Sequence, residues 1–302
     1  MISKDITVVG SIALDSLETP KGARSLILGG SAMYFSLSAS LFSSVEVIGI
    51  VGTDFPKEGW EIFKSHNINY DNVESKDGKT FSWGGRYSDN YSKRDTLFTD
   101  LGVFEDYQPM IKNSINKNGT LFLANIHPTL QLDVLTKMKS EVSLVVADTM
   151  NLWIDTDLRG VNEVISKSNI FLLNDEEAVQ LTGLTNLQDA GEHILNQGPE
   201  TVIIKMGDRG SLLIEKNSLC QIPCVPDINV LDPTGAGDSF AGGLIGFISQ
   251  FGVQDKRMAL VYASAIASFT VSDFGINQLL RLNLDDVKSR VEIIQKLTEQ
   301  QN

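Results

Sequence analysis

Residues 232–240, in the last third of the chain, form a glycine-rich turn with the sequence DPTGAGDSF. The small residues Gly235, Ala236 and Gly237 let successive backbone N–H groups converge on one point, and the apolar helix predicted to follow adds partial positive charge there. Asp238 in the same turn can accept the proton of an attacking hydroxyl while these N–H groups stabilise a phosphoryl group in transit. The turn therefore predicts phosphoryl transfer to a hydroxyl, with Asp238 as general base and the N–H groups as the anion hole.

A structural interpretation of this turn is also open, in which Asp238 is a helix N-cap behind a tight turn. Nine residues of this composition exceed what capping alone requires, so the chemical interpretation is favoured.

The chain has no G-x-x-x-x-G-K-[ST] sequence, and the first predicted strand is followed by a single glycine, Gly10, rather than by G-x-G-x-x-G. The predicted phosphate site therefore does not use a P-loop, and a nicotinamide-dependent dehydrogenase loses its main support.

Alternating strands and helices are predicted to position the turn. Short apolar runs indicate buried strands, and helical patterns follow the first of them. The predicted strands cover residues 6–10, 45–51, 121–123, 142–147, 170–173 and 201–205, and the first predicted helices cover residues 31–41 and 57–66. Such alternation implies a mostly parallel central sheet with helices on both faces, so the predicted fold class is α/β.

Residues 79–98 break this alternation, because their aromatic and β-branched side chains indicate short strands. Phe81, Trp83 and Tyr87 belong to this β excursion. These aromatic side chains either form a small satellite core or line the inner face of a lid that closes on a substrate.

Composition limits the classes of partner. Asp and Glu outnumber Lys and Arg by 38 to 25, and the net charge of −13 repels nucleic acid and anionic lipid over most of the surface. The first residues, MISKD, lack the apolar run of a signal peptide, and no later segment holds about 20 consecutive apolar residues. We therefore expect a cytoplasmic protein that acts on a small molecule and binds neither nucleic acid nor membrane.

The turn at residues 232–240 resembles the C-terminal signature of the ribokinase (PfkB) family of carbohydrate and nucleoside kinases. The likeness extends over essentially the whole chain, because the first strand, a Gly-Gly loop, the β excursion and two further motifs follow the order of that family. The resemblance implies a single ribokinase-like domain over residues 1–302, with a β-sheet lid formed by residues 11–20 and 79–98.

The resemblance also implies ATP and Mg²⁺ as cofactors. Within the turn, Thr234, Gly235 and Gly237 would contact the nucleotide. Asp232 would contribute to the monovalent-cation site, for K⁺, that some relatives have.

Two further motifs resemble the nucleotide-binding motifs of the family. Asn174 and Glu177 match its N-x-x-E motif and would organise Mg²⁺ and phosphates, Asn174 through water. Lys205, Gly207 and Gly210 resemble the G-x-x-G turn near the nucleotide. As bare patterns, acids at a helix start also stabilise the helix dipole, and the glycines also suit a plain hairpin turn.

Acceptor-binding residues are expected near the start of the chain. By the resemblance, Asp15 corresponds to an acid that binds substrate hydroxyls. The Gly29-Gly30-Ser31 loop corresponds to one whose backbone approaches a polyol ligand. Tyr34 departs from the family pattern, because many members have a sugar-binding Asn there.

Polar residues at two further strand ends complete the expected site. Asn125 and Asp148 follow predicted strands, and ligands of such sheets lie at the carboxyl ends of strands. We expect both to contact the substrate. Arg86 and Arg94 in the β excursion either hold a phosphate on the substrate or are solvated charges, and the second interpretation is favoured.

The function predicted from these residues is transfer of the γ-phosphoryl group of ATP to a hydroxyl of a sugar or related polyol. A nucleoside kinase is the alternative within the family, since aromatic side chains in the lid suit stacking on a base. A non-catalytic ligand-binding protein is the alternative from another class, and the carboxylate at Asp238 argues against it. A homodimer through an exposed lid edge is also expected.

Overall fold

The computed structural model of the protein describes residues 6–91, 93–112 and 119–301. Residues 1–5, on which the expectation of no signal peptide partly depends, lie outside the described residues. The strands are β1 (Ile6–Val9), β2 (Ala13–Thr19), β3 (Gly22–Gly29), β4 (Val45–Gly52), β5 (Ile68–Lys76), β6 (Ser82–Tyr87), β7 (Arg94–Asp100), β8 (Gly119–Leu123), β9 (Val142–Asp148), β10 (Ile170–Asn174), β11 (Thr201–Lys205), β12 (Ser211–Glu215) and β13 (Ser218–Ile222). The α-helices are α1 (Ser31–Ala39), α2 (Lys57–Ser65), α3 (Pro128–Met138), α4 (Asn151–Thr156), α5 (Leu158–Lys167), α6 (Asp175–Thr182), α7 (Leu187–Leu195), α8 (Ala236–Phe251), α9 (Lys256–Thr270) and α10 (Leu284–Gln301).

A large sheet with the strand order β13-β12-β11-β10-β9-β8-β1-β4-β5 runs through the molecule. Neighbouring strands are parallel from β11 to β5, and β12 and β13 continue the sheet antiparallel. Every residue of β1 and β8 is buried, as expected of parallel strands covered on both faces. The predicted α/β fold with a mostly parallel sheet is confirmed.

Helices cover both faces of this sheet. Successive side chains of a strand point to opposite faces, so Val8 and Val9 enter different cores. Val8 packs in a core with residues of α1, α2, α8, α9 and α10, and Val9 packs in a second core with residues of α3, α5, α6 and α7. Packing on both faces fixes the sheet, and the carboxyl ends of its parallel strands lie together at one edge.

A smaller mixed sheet has the strand order β3-β2-β6-β7. Strands β2 and β6 pair in parallel, with Leu14 opposite Ser82, and the two outer pairs are antiparallel. The sheet contains residues from both segments expected to form the lid, and also β3, which follows β2 in a hairpin. Among the residues that the structure describes, no helix combines the length and apolarity needed to span a bilayer.

Candidate active site

Helix α8 begins at Ala236, within the glycine-rich turn. Its N-cap, Gly235, has a φ of 75°, in the left-handed region that favours glycine. A Cβ atom at Gly235 would also overlap with the ring of Tyr34, so the position excludes larger residues for two reasons. The first N–H groups of a helix lack partners within it and give the turn partial positive charge. Among the three residues expected to form the anion hole, Ala236 has its N–H engaged within the turn, where it donates a hydrogen bond to Pro233 O at 3.2 Å.

Asp238 lies in the first turn of α8 and is half-buried. Burial raises its pKa to about 7, and the negative charge of Asp148 raises it further, while the positive charge of Lys205 opposes the rise. A carboxylate with a pKa near neutrality is matched to general-base catalysis at physiological pH.

Lys205 and Asp148 form a buried ion pair beside Asp238. They end the strands β11 and β9, and Lys205 Nζ lies 2.7 Å from Asp148 Oδ2, with the side chains 17% and 4% exposed. Burial alone would lower the pKa of Lys205, but the negative charges of Asp148 and Glu177 outweigh it and raise that pKa. A Cβ atom at Gly237 would lie 3.3 Å from Lys205 Nζ, so the ammonium group adjoins the anion-binding turn. The structure thus pairs Asp148, expected to bind the acceptor, with a lysine expected to bind the nucleotide.

Asn174 and Glu177 form a capping box at the start of α6. Asn174 Oδ1 accepts a hydrogen bond from Glu177 N at 2.8 Å, and Glu177 Oε2 accepts one from Asn174 N at 2.7 Å. Burial raises the pKa of Glu177 to about 7; Lys205 opposes this rise and Asp148 adds to it. The capping box thus occupies Glu177 Oε2, while the positive charge of Lys205 acts on the same carboxylate.

Magnesium fits this arrangement only with additional ligands. Within the described residues, no three His, Cys, Asp or Glu side chains are arranged to hold a metal ion. Mg²⁺ typically retains several waters and binds through one or two carboxylates and substrate phosphates. The buried carboxylate of Glu177 is suited to that mode of binding.

Asp15 and the Gly-Gly loop lie near the turn, because the helix that begins directly after the loop packs its Tyr34 ring against Gly235. Asp15 in β2 is buried, and burial raises its pKa to about 7, although a hydrogen bond from the backbone of Gly30 opposes this. A Cβ atom at Gly29 would overlap with the Asp15 carboxylate, so glycine makes room for it. Ser31 Oγ accepts a hydrogen bond from Ser11 N, and Ser11 Oγ accepts one from Ser31 N, both at 3.1 Å. The Ser31 side chain therefore fastens α1 to the loop after β1.

Asp232 stabilises the glycine-rich turn through hydrogen bonds to both of its carboxylate oxygens. It is fully buried, and its two carboxylate oxygens accept hydrogen bonds from Thr234 N and Gly275 N, both at 2.9 Å. Burial raises the pKa of Asp232, and these backbone hydrogen bonds oppose the rise. Asp232 thus joins the turn to the segment that follows α9.

Tyr87, which ends β6, contacts the same turn, and Tyr91, in the connection from β6 to β7, contacts the residues just before it. Tyr87 Oη lies 3.0 Å from Thr234 Oγ1, and Tyr91 Oη donates a hydrogen bond to the carbonyl oxygen of Val230 at 3.1 Å. The guanidinium of Arg94, an exposed residue of β7, lies 5.2 Å from the centroid of the Trp83 ring, and its positive charge lowers the pKa of both Asp238 and Glu177. The exposed position is that of a solvated charge, the interpretation favoured from the sequence.

Arg86 lies away from these contacts. Its guanidinium forms an exposed ion pair with Glu18, at 2.6 Å between Nε and Oε2.

Gly207 and Gly210 frame a single 3₁₀ turn between β11 and β12, with φ values of 59° and 85°. Asn125 Oδ1 accepts a hydrogen bond from Trp153 Nε1 at 2.9 Å, a contact that sequence reasoning did not anticipate.

Residues 8–281 match the family model described as pfkB family carbohydrate kinase. The chain is 28% identical to a cytidine kinase of Thermococcus kodakarensis over 80% of this chain and 87% of that protein. It is 26% identical to a nucleoside kinase of Methanocaldococcus jannaschii over 95% and 96% of the two chains. A double-mutant fructokinase of Vibrio cholerae O395, solved with fructose, ADP and a potassium ion, has the same fold, with a TM-score of 0.81, 16% identity and coverage of 96% and 100%.

Proposed function

Because the chain belongs to the pfkB family of carbohydrate kinases, we propose that it transfers the γ-phosphoryl group of ATP to a hydroxyl of a sugar or related polyol. Family membership and the ribokinase-like fold predicted from the motifs are confirmed. The observation that carries the proposal is the position of Asp238, in the first turn of α8, beside Lys205 and the glycine-rich turn.

Asp238 would act as the general base of this reaction. Its carboxylate takes the proton of the acceptor hydroxyl as the acceptor oxygen bonds to the γ-phosphorus and the bond from phosphorus to the bridging oxygen of ADP breaks. The N–H groups of the turn at Gly235 and Gly237 stabilise negative charge on the phosphoryl oxygens, and Ala236 adds its own by exchanging its hydrogen bond to Pro233 O for one to the phosphoryl group. Lys205 adds a positive charge next to Gly237, and Asp148 holds its ammonium group in place.

Cofactor binding completes the proposal. Glu177, directly, and Asn174, through water, would hold Mg²⁺, which neutralises charge on the phosphates when bound. Gly207, Gly210 and Thr234 would contact the nucleotide. For K⁺, the proposal of a site near Asp232 is supported by the potassium ion in the fructokinase structure.

A nucleoside acceptor is the second candidate. Two relatives that align with most of this chain are named as a cytidine kinase and a nucleoside kinase. On the side of the acceptor, Asp15 and the loop at Gly29 and Gly30 would bind ribose hydroxyls as readily as those of a free sugar. Asn125, whose carboxamide contacts Trp153, would line the same end of the sheet.

The proposal is tested by ADP formation from ATP with Mg²⁺ and K⁺, across a panel of sugars, phosphosugars, polyols and nucleosides. Acceptor-dependent ADP formation by the purified protein is expected, and the best acceptor decides between the two candidates. ATP binding without acceptor-dependent ADP formation across the panel would favour a non-catalytic ligand-binding protein.

Asp238→Asn tests the role of the base. The substitution keeps the size of the side chain but cannot take up the proton, so we expect kcat to fall by about 10²- to 10⁴-fold while ATP still binds. Calorimetric titration with ATP and steady-state kinetics measure the two effects separately. Unchanged kcat would contradict the mechanism, and loss of ATP binding would show that Asp238 holds the nucleotide instead.

A further inference from the structure

Gln131 of α3 has a buried carboxamide that lies at the ends of two neighbouring strands of the large sheet. The residue is 2% exposed, and its Nε2 lies 3.2 Å from Leu123 O, 3.0 Å from Ala124 O and 2.9 Å from Asp148 O. Leu123 is the last residue of β8, Ala124 follows it, and Asp148 is the last residue of β9. One side chain therefore joins the carboxyl ends of β8 and β9.

These strand ends are a place where backbone carbonyl groups need donors. The last carbonyl groups of a strand can lie beyond the hydrogen-bond ladder, and a buried carbonyl group without a donor is costly. Helix α3 connects β8 to β9 and brings Gln131 back over these groups. A carboxamide nitrogen carries two protons, and three carbonyl oxygens lie within hydrogen-bond distance of this one. The donor capacity of Gln131 is thus used within the protein, which favours a link between strands over contact with a ligand.

Asp148 connects this link to the candidate active site. Its backbone carbonyl accepts the hydrogen bond from Gln131, while its carboxylate Oδ2 accepts one from Lys205 Nζ at 2.7 Å. The other carboxylate oxygen, Oδ1, accepts a hydrogen bond from Thr149 N at 2.9 Å. Because the backbone and both carboxylate oxygens are engaged, the direction of the carboxylate depends on the position of the β9 end that Gln131 fixes.

Lys205 is the last group in this series of contacts. Within the described part of the chain, its ion pair is with Asp148. A Cβ atom at Gly237, in the first turn of α8, would lie 3.3 Å from Lys205 Nζ. The ammonium group is thus held between the end of β9 and the turn that would bind the phosphoryl group. Because a displacement of about 1 Å in an active site can slow a reaction about 100-fold, the support that Asp148 gives to this group matters for the rate.

We propose that Gln131 is a positioning residue for phosphoryl transfer, which fixes the end of β9 so that Asp148 holds the ammonium group of Lys205 beside Gly237. Gln131 acts through these residues and touches neither ATP nor the acceptor. Without it the end of β9 shifts, and the ammonium group no longer meets the charge that develops on the phosphoryl oxygens. The inference rests on the proposed kinase function and adds α3 to the elements that support the site.

Gln131→Leu removes the donor and keeps a side chain of similar size. Asn72→Leu is the matched control, because Asn72 in β5 is also a buried carboxamide, whose Nδ2 donates to the Glu46 carboxylate and whose Oδ1 accepts from Lys112 N at 2.7 Å. Strands β4, β1 and β8 separate β5 from β9. The values of kcat, of KM for ATP and of KM for the best acceptor are measured below the Tm of each variant.

We expect Gln131→Leu to lower kcat/KM for ATP by about 10-fold or more, since a misplaced ammonium group stabilises the transition state less. The acceptor KM should stay within about twofold of the wild type, and Asn72→Leu should keep all three constants within that limit although it lowers the Tm. Equal losses of kcat/KM in the two variants would overturn the inference, because they would reflect general destabilisation. So would an increase confined to the acceptor KM, which would make Asp148 an acceptor contact.

A second measurement tests whether Gln131 acts through the ion pair. Gln131→Leu is added to the variant that carries both Asp148→Asn and Lys205→Met, in which there is no ammonium group to position. The added substitution should then change kcat/KM for ATP by no more than about twofold, against about 10-fold or more in the wild type. A further loss of about 10-fold would show that Gln131 acts by another route and would overturn the inference.

Gln131→Glu keeps the test open if Gln131→Leu does not fold. The ionised carboxylate has no proton to donate to the three carbonyl oxygens, whereas the protonated carboxyl group donates one hydrogen bond. We expect the kcat/KM of this variant, divided by that of the wild type, to rise about fivefold or more as the pH falls from about 9 to about 6. Groups common to both proteins, Asp238 among them, titrate in both and leave the ratio unchanged. A ratio that is constant over this range would contradict the positioning role.

Failure of the kinase function is recognised separately. A wild-type protein that binds ATP, measured by calorimetry, but forms no ADP with any acceptor would contradict the proposed function alone. Lys205 adjoins the turn whether or not transfer occurs, so the ATP dissociation constants of the wild type, Gln131→Leu and Asn72→Leu then decide the role of Gln131. Binding weakened about 10-fold in Gln131→Leu alone supports it, and a change within about twofold overturns it.

Discussion

Asp15, Glu177 and Asp238 are carboxyl groups whose pKa values rise to about 7, in each case chiefly through burial. Between pH 4 and pH 7 the folded protein holds protons that the unfolded chain has released. The contribution of these groups to the free energy of unfolding is therefore full below the unfolded pKa and is lost as the pH rises through the folded pKa. Residues suited to proton transfer at neutral pH thus lower stability there.

Asp15→Asn should consequently stabilise the protein more at pH 8 than at pH 5. The asparagine needs no proton to be neutral, so the gain in free energy of unfolding at pH 8 is expected to approach an upper limit of about 4 kcal/mol. Urea unfolding at the two pH values measures it. Asp71→Asn, at an exposed position in β5, is the control. Equal pH dependence of both variants would contradict the prediction.

The residues of the candidate site could be predicted from the sequence where they lie close together along the chain. The turn from Asp232 to Asp238 and the capping pair Asn174 and Glu177 are local in sequence, so their composition alone indicates them. The contact between Asp148 and Lys205 joins residues 57 positions apart, and the ring of Tyr34 in α1 packs against Gly235 at the start of α8. Such features follow from packing between elements, which a local pattern does not encode.

At the scale of elements, the ends of β9 and β11 bring Asp148 and Lys205 together in a buried pair. Lys205→Met should lower the free energy of unfolding by about 3–5 kcal/mol, because it leaves Asp148 buried without its cation. Adding Asp148→Asn should recover part of this loss. Denaturant unfolding of the wild type, both single variants and the double variant measures the coupling.

The exposed pair Lys57 and Glu61, on one face of α2, provides the control cycle. Its side chains are 90% and 64% exposed, so its coupling should not exceed about 1 kcal/mol. Additive effects of Lys205→Met and Asp148→Asn would show that the buried pair contributes no coupling of its own.

Elements were predictable where burial on both faces makes a strand uniformly apolar. That condition holds for most residues of β1, β8, β10 and β11, all of which overlap predicted runs. Strands β3 and β13 are mostly exposed. The first half of β3 is GARS, so its apolar residues are confined to positions 26–28, and β13 has no apolar run. Their pairing depends on the neighbouring strands β2 and β12.

At the scale of the whole molecule, β7, an outer strand of the small sheet, is the surface through which we expect two copies to associate. Every residue of β7 is exposed, and Leu97 and Phe98 are each 42% exposed. An open strand edge with apolar side chains favours pairing with a second copy. We expect a homodimer in solution, with Leu97→Lys shifting it to a monomer in light scattering coupled to gel filtration.

Leu152→Lys is the control for this experiment, because Leu152 is 47% exposed on α4, outside the small sheet. It should leave the dimer intact. A wild-type monomer at all concentrations tested, or equal effects of the two substitutions, would contradict dimerisation through the small sheet.

The parallel pairing of β2 with β6 has a consequence for the kinetics of folding. The hairpins β2–β3 and β6–β7 are each local, but Leu14 reaches Ser82 only after the intervening chain, with α1, β4, α2 and β5, has been brought into place. Closing so long a loop costs entropy before its contacts form, and contacts of this kind slow folding. The sheet that carries Tyr87 and Arg94 is therefore expected to assemble late, so that a newly synthesised chain acquires its core before it acquires a closed active site.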